Sequence, residues 1–172
     1  VPYCPSCGTP LSSHEVAQGS RDVEAPSVYV RFKATDEENL YYLVWTTTPW
    51  TLISNVALAV HPTETYVKVA HKGYNLILAK ALLNKLDCEY EIVDEFAGSK
   101  LEKRTYEPLF RFVEPEQKAW YVGLADYVTM EDGTGIVHTA PAFGQDDFNL
   151  AMKYDLPFVQ PVNGEGKFTE VV

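Results

Sequence analysis

Trp45-Thr46-Thr47-Thr48-Pro49-Trp50-Thr51-Leu52-Ile53-Ser54-Asn55 follows directly on a β-rich run, Leu40-Tyr41-Tyr42-Leu43-Val44. Pro49 must end that strand, because it has no N–H for a ladder and pushes Thr48 towards extended backbone. The result is a hydroxyl-rich turn with two indoles close by. Backbone N–H groups, hydroxyls and aromatic walls in one small volume suit a pocket for a small polar ligand with a short apolar side chain. The plainer alternative is an edge turn in which threonine is present for its β propensity. On residue chemistry alone the plainer alternative stands ahead.

Before the turn, residues 28–33 alternate with period two and read as a strand. Thr35-Asp36-Glu37-Glu38-Asn39 is a turn cluster, which makes 40–45 the hairpin partner. Residues 56–60 form another short strand, broken by His61-Pro62. Runs 66–70 and 74–78 flank Lys72-Gly73 as a second hairpin. Residues 79–86 carry leucines at helical spacing and predict a short helix; 90–96 predict a strand. The stretch 101–115 is irregular, punctuated by Pro108 and Pro115, with 109–113 between them as an edge strand. Runs 120–124 and 127–130 read as strands, Glu131-Asp132-Gly133-Thr134-Gly135 as a tight turn and 136–140 as a strand stopped by Pro141. Asp146 or Asp147 caps a helix over 148–154. Together these predict a mostly β domain with small helices (α+β), arranged as a distorted β-barrel.

The 172 residues suit one domain with a real core. The formal net charge of −10 argues against tight free-standing nucleic-acid binding. It leaves room for a domain that receives only the end of a nucleic acid held elsewhere. Three unevenly spaced cysteines make no disulfide scaffold, so a cytoplasmic setting is expected. No apolar run is long enough for a membrane span. The chain opens on Val1-Pro2-Tyr3-Cys4 without Met and is expected to be a piece of a longer, monomeric protein. Cys4-Pro5-Ser6-Cys7-Gly8 is half of a zinc knuckle. Cys88 is far off, and His14 lies in Ser12-Ser13-His14-Glu15, which reads as chain running back into the domain. No bound zinc is expected within these residues.

A second motif runs from Gly133 to Phe148: Gly-Thr-Gly-Ile-Val-His-Thr-Ala-Pro-Ala-Phe-Gly-Gln-Asp-Asp-Phe. His138 sits on a strand beside the Pro141 break, so its ring can face a cavity. The alternative is a half-buried histidine on a backbone carbonyl. Asp147 at a helix start is either a cap or a partner for a ligand ammonium. A carboxylate can cap and still offer its second oxygen.

Thr46-Thr47-Thr48-Pro49-Trp50-Thr51 resembles the threonine-rich motif of the editing (CP1) domain inserted into isoleucyl-tRNA synthetases. Valyl and leucyl enzymes typically carry Arg-Pro and an acidic residue where this chain has Thr48-Pro49-Trp50, so the resemblance points to the isoleucyl branch. Ile53 departs from the proline usual there. The Gly133–Phe148 motif resembles the family's second signature nearly residue for residue. The Cys4–Gly8 start and Leu11-Ser12-Ser13-His14-Glu15-Val16-Ala17-Gln18-Gly19 fit as well, while 83–117 carries little of the likeness.

The resemblance implies a connector at 1–20, an editing domain at 21–162 and a return connector at 163–172. It implies hydrolysis of valyl-tRNA(Ile), with valyl-adenylate left open as a second substrate. Isoleucyl-tRNA synthetase is itself the usual example of the difficulty: one methylene gives a pocket only about 1–3 kcal/mol of discrimination, so a second site must remove the smaller product. Under that resemblance Asp147, Thr46 and Thr47 carry the chemistry, and Thr48, Trp50, Asn55 and His138 contact substrate. Asp147 takes the α-ammonium, the threonines donate to ester and adenosine, Thr48 and His138 form the sieve wall with Trp50 behind, and Asn55 fixes the turn. No Ser-His-Asp or Cys-His arrangement is recognisable, so no covalent intermediate is expected. Editing needs no metal or cofactor; ATP, and zinc if any, belong to the parent enzyme. The implied partners are the acceptor 3′ end of isoleucine tRNA, valyl-adenosine or valyl-adenylate, and the rest of the synthetase. Three rivals stand beside this: a valyl- or leucyl-type editing domain, a non-catalytic module that positions the tRNA acceptor end, and a zinc hydrolase built on Cys4 and Cys7.

Overall fold

A computed structural model describes residues 2–4, 6–19, 21–22, 24, 26–112, 114–170 and 172. Val1, Pro5 of the cysteine motif, Ser20, Val23, Ala25, Val113 at the end of the expected edge strand, and Val171 lie outside the described residues. Tyr3–Cys4 (β1) and Thr9–Pro10 (β2) pair antiparallel, and Ser13–Gln18 (α1) follows. A capping box starts α1: Glu15 N–H donates to Ser12 Oγ, and Ser12 N–H donates to the Glu15 carboxylate at 2.8 Å. The chain that runs back from the cysteine motif thus opens a helix at residues 12–15. The Ser-x-x-Glu spacing is the sequence signal for it.

Val28–Lys33 (β3) and Leu40–Thr46 (β4) form the expected hairpin, with Val28 opposite Thr46. Ala57–Val60 (β5) is buried along its whole length. Thr65–His71 (β6) and Tyr74–Ala79 (β7) form the second hairpin. Lys72 and Gly73 both take positive φ, 45° and 87°, the geometry whose twist matches the strands of a two-residue hairpin loop. Glu91–Ala97 (β8) pairs with β6. Tyr121–Leu124 (β9) and Ile136–Thr139 (β10) flank β5, and Gln145–Tyr154 is α2.

Two main sheets result, one of order β3-β4-β7-β6-β8 and one of order β10-β5-β9. The mostly β class with small helices holds, but the described strands do not close into a barrel. Past Thr46 the chain leaves the first sheet, because Pro49 offers no donor, and β5 pairs instead with β9 and β10. β4 packs against β10. One apolar cluster joins the sheets, with Phe32, Tyr42 and Ile77 from the larger and Leu58, Val122 and Ile136 from the smaller.

The expected short helix is present over Lys80–Lys85, with 3-10 geometry. Three expectations are corrected. The run 127–130 is turn and coil, its Val128 packed on Leu150 of α2 and Ala59 of β5. The segment 109–112 is no strand; Thr105 and Tyr106 make the bridges there, to Tyr121 and Ala34. Helix α2 begins at Gln145 with Gly144 at its N-cap, so neither Asp146 nor Asp147 caps it. Among the described residues no helix is long and apolar enough to cross a membrane.

The Gly133/Gly135 turn is as tight as its glycines suggest, with φ of 77° and 72°. Gly135 O accepts from the Tyr66 hydroxyl at 2.6 Å, which seats β10 against the larger sheet. A Cβ on Gly135 would stand 2.4 Å from Ala79 Cβ. Gly135→Ala combines left-handed strain with overpacking and is expected to destabilise by about 2–4 kcal/mol in urea unfolding. A change near zero would show that this approach is not needed.

Candidate functional site

Strand β4 delivers Thr46 to the end of the sheet. Thr48 N–H donates to Thr46 Oγ1 at 3.1 Å, which closes the threonine turn on itself. Pro49 then begins a 3-10 helix, Pro49–Ser54. Thr51, inside that helix and buried, sends both its N–H and its hydroxyl to Thr48 O, at 3.0 and 2.8 Å. The same hydroxyl lies 3.0 Å from His138 Nε2 on β10.

At 2.8 Å Thr48 O is the nearer of the two acceptors beside the Thr51 hydroxyl, and we assign the single hydroxyl proton to it. With the proton there, the hydroxyl accepts from His138 Nε2–H, and Nδ1 is left as an acceptor, buried without a protein partner among the described residues. Burial pushes the pKa of His138 down to about 4. At neutral pH the imidazole is uncharged. Its partner is a hydroxyl and not the backbone carbonyl of the plainer alternative.

Two residues beyond His138, Ala140 N–H donates to Asp147 Oδ2 at 3.1 Å. Asp147 sits in the first turn of α2, so its carboxylate reaches back to the end of β10 instead of capping its own helix. A Cβ on Gly144 would approach Asp147 Oδ2 to 3.1 Å, so the glycine leaves that oxygen room. Burial is the main cause raising the Asp147 pKa; the Ala140 N–H opposes it and Asp146 adds to it. His138 and Ala140 are separated by roughly 7 Å of extended chain. The hydroxyl chain and the carboxylate thus converge on one strand end.

Thr46 and Thr47 line a cavity of about 260 Å³, facing Gly133, Thr134 and Val137. Trp50 is 56% exposed, at the rim of the turn. Asn55, expected among the substrate contacts, has both ends of its amide engaged inside the fold: it donates to Ala57 O at 2.9 Å and accepts from the Tyr106 hydroxyl at 2.6 Å. It braces the turn with one amide proton and one oxygen lone pair, and the second proton and second lone pair stand outside these bonds. Thr51 was not singled out by its sequence, although it stands three residues after Thr48, one turn of a 3-10 helix. Tyr127 was likewise masked by an alternating run. Its hydroxyl is buried beside that of Thr139, and burial, with the Asp147 charge as second cause, pushes it well above the usual phenol range, against the opposing Thr139 contact.

Cys7 Sγ lies 3.2 Å from Thr9 Oγ1, and the Cys4 and Thr9 contacts hold the Cys7 thiol below its usual range. Among the described residues no group of three His, Cys, Asp or Glu side chains gathers at one point. The pair offers two donors where tetrahedral zinc takes four.

A family model described as "Leucyl-tRNA synthetase, editing domain" matches residues 25–171. An isoleucine–tRNA ligase of Clostridium acetobutylicum is 60% identical over 172 residues, covering 100% of this chain and 17% of that protein. The corresponding ligase of Clostridium novyi is 58% identical over 173 residues, again covering 100% of this chain and 17% of that protein. The chain thus spans under a fifth of the length of the curated relatives it matches. The solved P. knowlesi cytosolic leucyl-tRNA synthetase editing domain superposes with a TM-score of 0.61 at 14% identity, covering 80% of this chain and 65% of that one, a likeness of fold.

A histidine whose folded pKa lies below its unfolded value stabilises the fold only while neutral. Its contribution is complete above about 6.5 and is lost as pH falls towards 4, a difference of about 3 kcal/mol. His138→Gln is expected to flatten the unfolding free energy over that window relative to the parent chain. Nitrogen-15 NMR is expected to find the Nε2–H tautomer in the parent chain and in Thr51→Ser, and mixed tautomers in Thr51→Val. An Nδ1–H ring in the parent chain would contradict the proton assignment.

Proposed function

The chain belongs to the leucyl-tRNA synthetase editing-domain family, and on that premise we propose that it hydrolyses the ester of valyl-tRNA(Ile) as the second sieve of an isoleucyl-tRNA synthetase. Valyl-adenylate is its second substrate, and residues 21–162 are the hydrolytic unit of a longer cytoplasmic enzyme that binds ATP elsewhere. The observation that carries this is the continuity of the two motifs: Thr48, Thr51 and His138 share one hydroxyl, and Asp147 is bonded to the same strand end. The full-length identity to isoleucine–tRNA ligases supports the isoleucyl branch.

The chemistry follows from what the ester needs. With one Asp147 oxygen held by Ala140 N–H, the other is free for the α-ammonium, in a site dry enough to strengthen a charge-assisted pair. Thr46 and Thr47 donate to the ester and the terminal adenosine. Thr48 and the neutral His138 ring form the wall that admits valine and clashes with isoleucine, and Trp50 closes the rim. Water is held between Asp147, a threonine hydroxyl and the substrate's own ribose hydroxyl. His138 is too acidic as an imidazolium to act as a charged group near pH 7. No step calls on a metal.

One observation favours a second reading: the matched family model and the structural likeness cited above are both of leucyl enzymes. Comparing deacylation of valyl-, threonyl- and isoleucyl-tRNA separates the branches; preference for valyl-tRNA(Ile) is expected.

Asp147→Ala is expected to lower deacylation of valyl-tRNA by about a hundredfold or more, with unchanged far-UV circular dichroism. Near-normal turnover by the folded variant would remove Asp147 from the site. The raised pKa places the acid limb of kcat/KM above the ordinary aspartate value of about 3.9. Because a buried carboxylate with a raised pKa costs stability when ionised, Asp147→Asn is expected to hold or raise the thermal midpoint at pH 7 while losing activity. His138→Ala and Thr48→Ala are expected to let isoleucyl-tRNA be hydrolysed; if both spare it, the sieve wall lies elsewhere.

A further inference from the structure

Among the described residues, seven of the fourteen cationic side chains stand in ion pairs. Three of the other seven, Lys103, Lys118 and Lys153, line one cleft of about 590 Å³ at the C-terminal end of α2. This is a local excess of positive charge on a chain of net charge −10. Two carboxylates also line the cleft, Glu102 and Asp155. Glu102 is engaged by the Tyr154 hydroxyl at 2.8 Å, and Asp155 closes α2 in the left-handed conformation.

The lysines are braced rather than loose. Lys118 Nζ stands over the Tyr121 ring and Lys153 Nζ over the Tyr154 ring, at 5.6 and 5.3 Å from the ring centres. Lys153 Nζ also donates to Leu124 O at 3.0 Å. The rings are fixed in turn: the Tyr121 hydroxyl donates to Tyr154 O at 2.8 Å, and Leu124 N–H donates to the Tyr154 hydroxyl at 2.9 Å. Lys103 is presented by a backbone at φ 61°. Tyr154 lies seven residues beyond Asp147 on the same helix, about 10 Å along its axis.

We propose that this cleft binds backbone phosphates of the RNA strand whose acylated end enters the threonine–aspartate site. The proposal rests on the function proposed above, and it answers how so acidic a domain holds a polyanion. Three ammonium groups supply the sequence-independent attraction, and they displace counterions from the strand. The cleft acts on affinity and position, and it makes no contact with the reacting ester.

The test replaces all three lysines by glutamine in the 172-residue chain, with a triple lysine-to-arginine variant as the charge-retaining control. Two substrates are compared, valyl-tRNA and the valyl ester of adenosine, which has no phosphate. The glutamine variant is expected to raise KM for valyl-tRNA about tenfold at unchanged kcat, and to reduce the slope of log KM against log salt by about 2. Hydrolysis of the adenosine ester is expected to stay unchanged, and the arginine variant to behave as the parent. Unchanged KM and salt slope for valyl-tRNA would overturn the proposal. If neither substrate is hydrolysed, the proposed function fails, and salt titration of uncharged tRNA binding still decides the cleft: weaker binding by the glutamine variant supports it, and equal binding overturns it.

Discussion

One hydroxyl holds the candidate site together. Thr51 Oγ1 donates to the carbonyl three residues back and accepts from a histidine eighty-seven residues on. The first bond is local and shapes the threonine turn. The second is tertiary and ties that turn to β10. A hydroxyl has one proton, so satisfying the first bond dictates the direction of the second, and the direction of the second dictates the tautomer of His138. Turn, strand and ring state are therefore coupled through a single atom. The surrounding core makes the coupling rigid: β4 and β10 belong to different sheets but pack on each other beneath it.

The same strand end carries the opposite kind of constraint. Ala140 N–H lies past the last ladder pair of β10 and needs an acceptor. Asp147 fills that need, and in doing so is drawn into a partly dry position that disfavours its charge. A helix terminus commonly satisfies its own donors with such a residue. Here the helix starts from Gly144 without a side-chain cap, and the carboxylate is spent across the gap instead. The helix start goes without a side-chain cap, and the anion stands at the strand end instead. Buried polar groups gather nearby: the Tyr127 and Thr139 hydroxyls lie against each other, and His138 Nδ1 is without a partner among the described residues.

Net charge is a poor guide to a domain of this kind. A value of −10 speaks against a nucleic-acid surface only if the charges are evenly spread. Much of the positive charge is neutralised in exposed pairs such as Lys33–Glu107 and Lys80–Glu95, which contribute little energy. Three of the seven cations outside ion pairs among the described residues line one cleft. That concentration is a property of the folded surface, since Lys103, Lys118 and Lys153 are scattered along the chain.

The local elements were legible in the residues alone: both hairpins, the proline-terminated threonine turn, the glycine turn before β10 and the mostly β class. Each rests on a short-range rule, such as period-two alternation or the missing N–H of Pro49, that operates without knowledge of the rest of the chain. The two motifs were visible for the same reason, as compact runs. Tertiary structure decided the rest. The parallel pairings β4–β7 and β5–β9 cannot be read from either strand, because a parallel partner is supplied from a distance and leaves no turn signature. The runs at 109–112 and 127–130 alternate like strands but find no edge to pair with. Asp147 looks like a cap until the unsatisfied Ala140 N–H claims it, Asn55 shows its bracing role only once the Tyr106 hydroxyl reaches it, and Thr51 looks ordinary until His138 arrives beside it. In each instance the deciding partner is a hydrogen-bonding group from a remote part of the chain, and only folding brings it within about 3 Å.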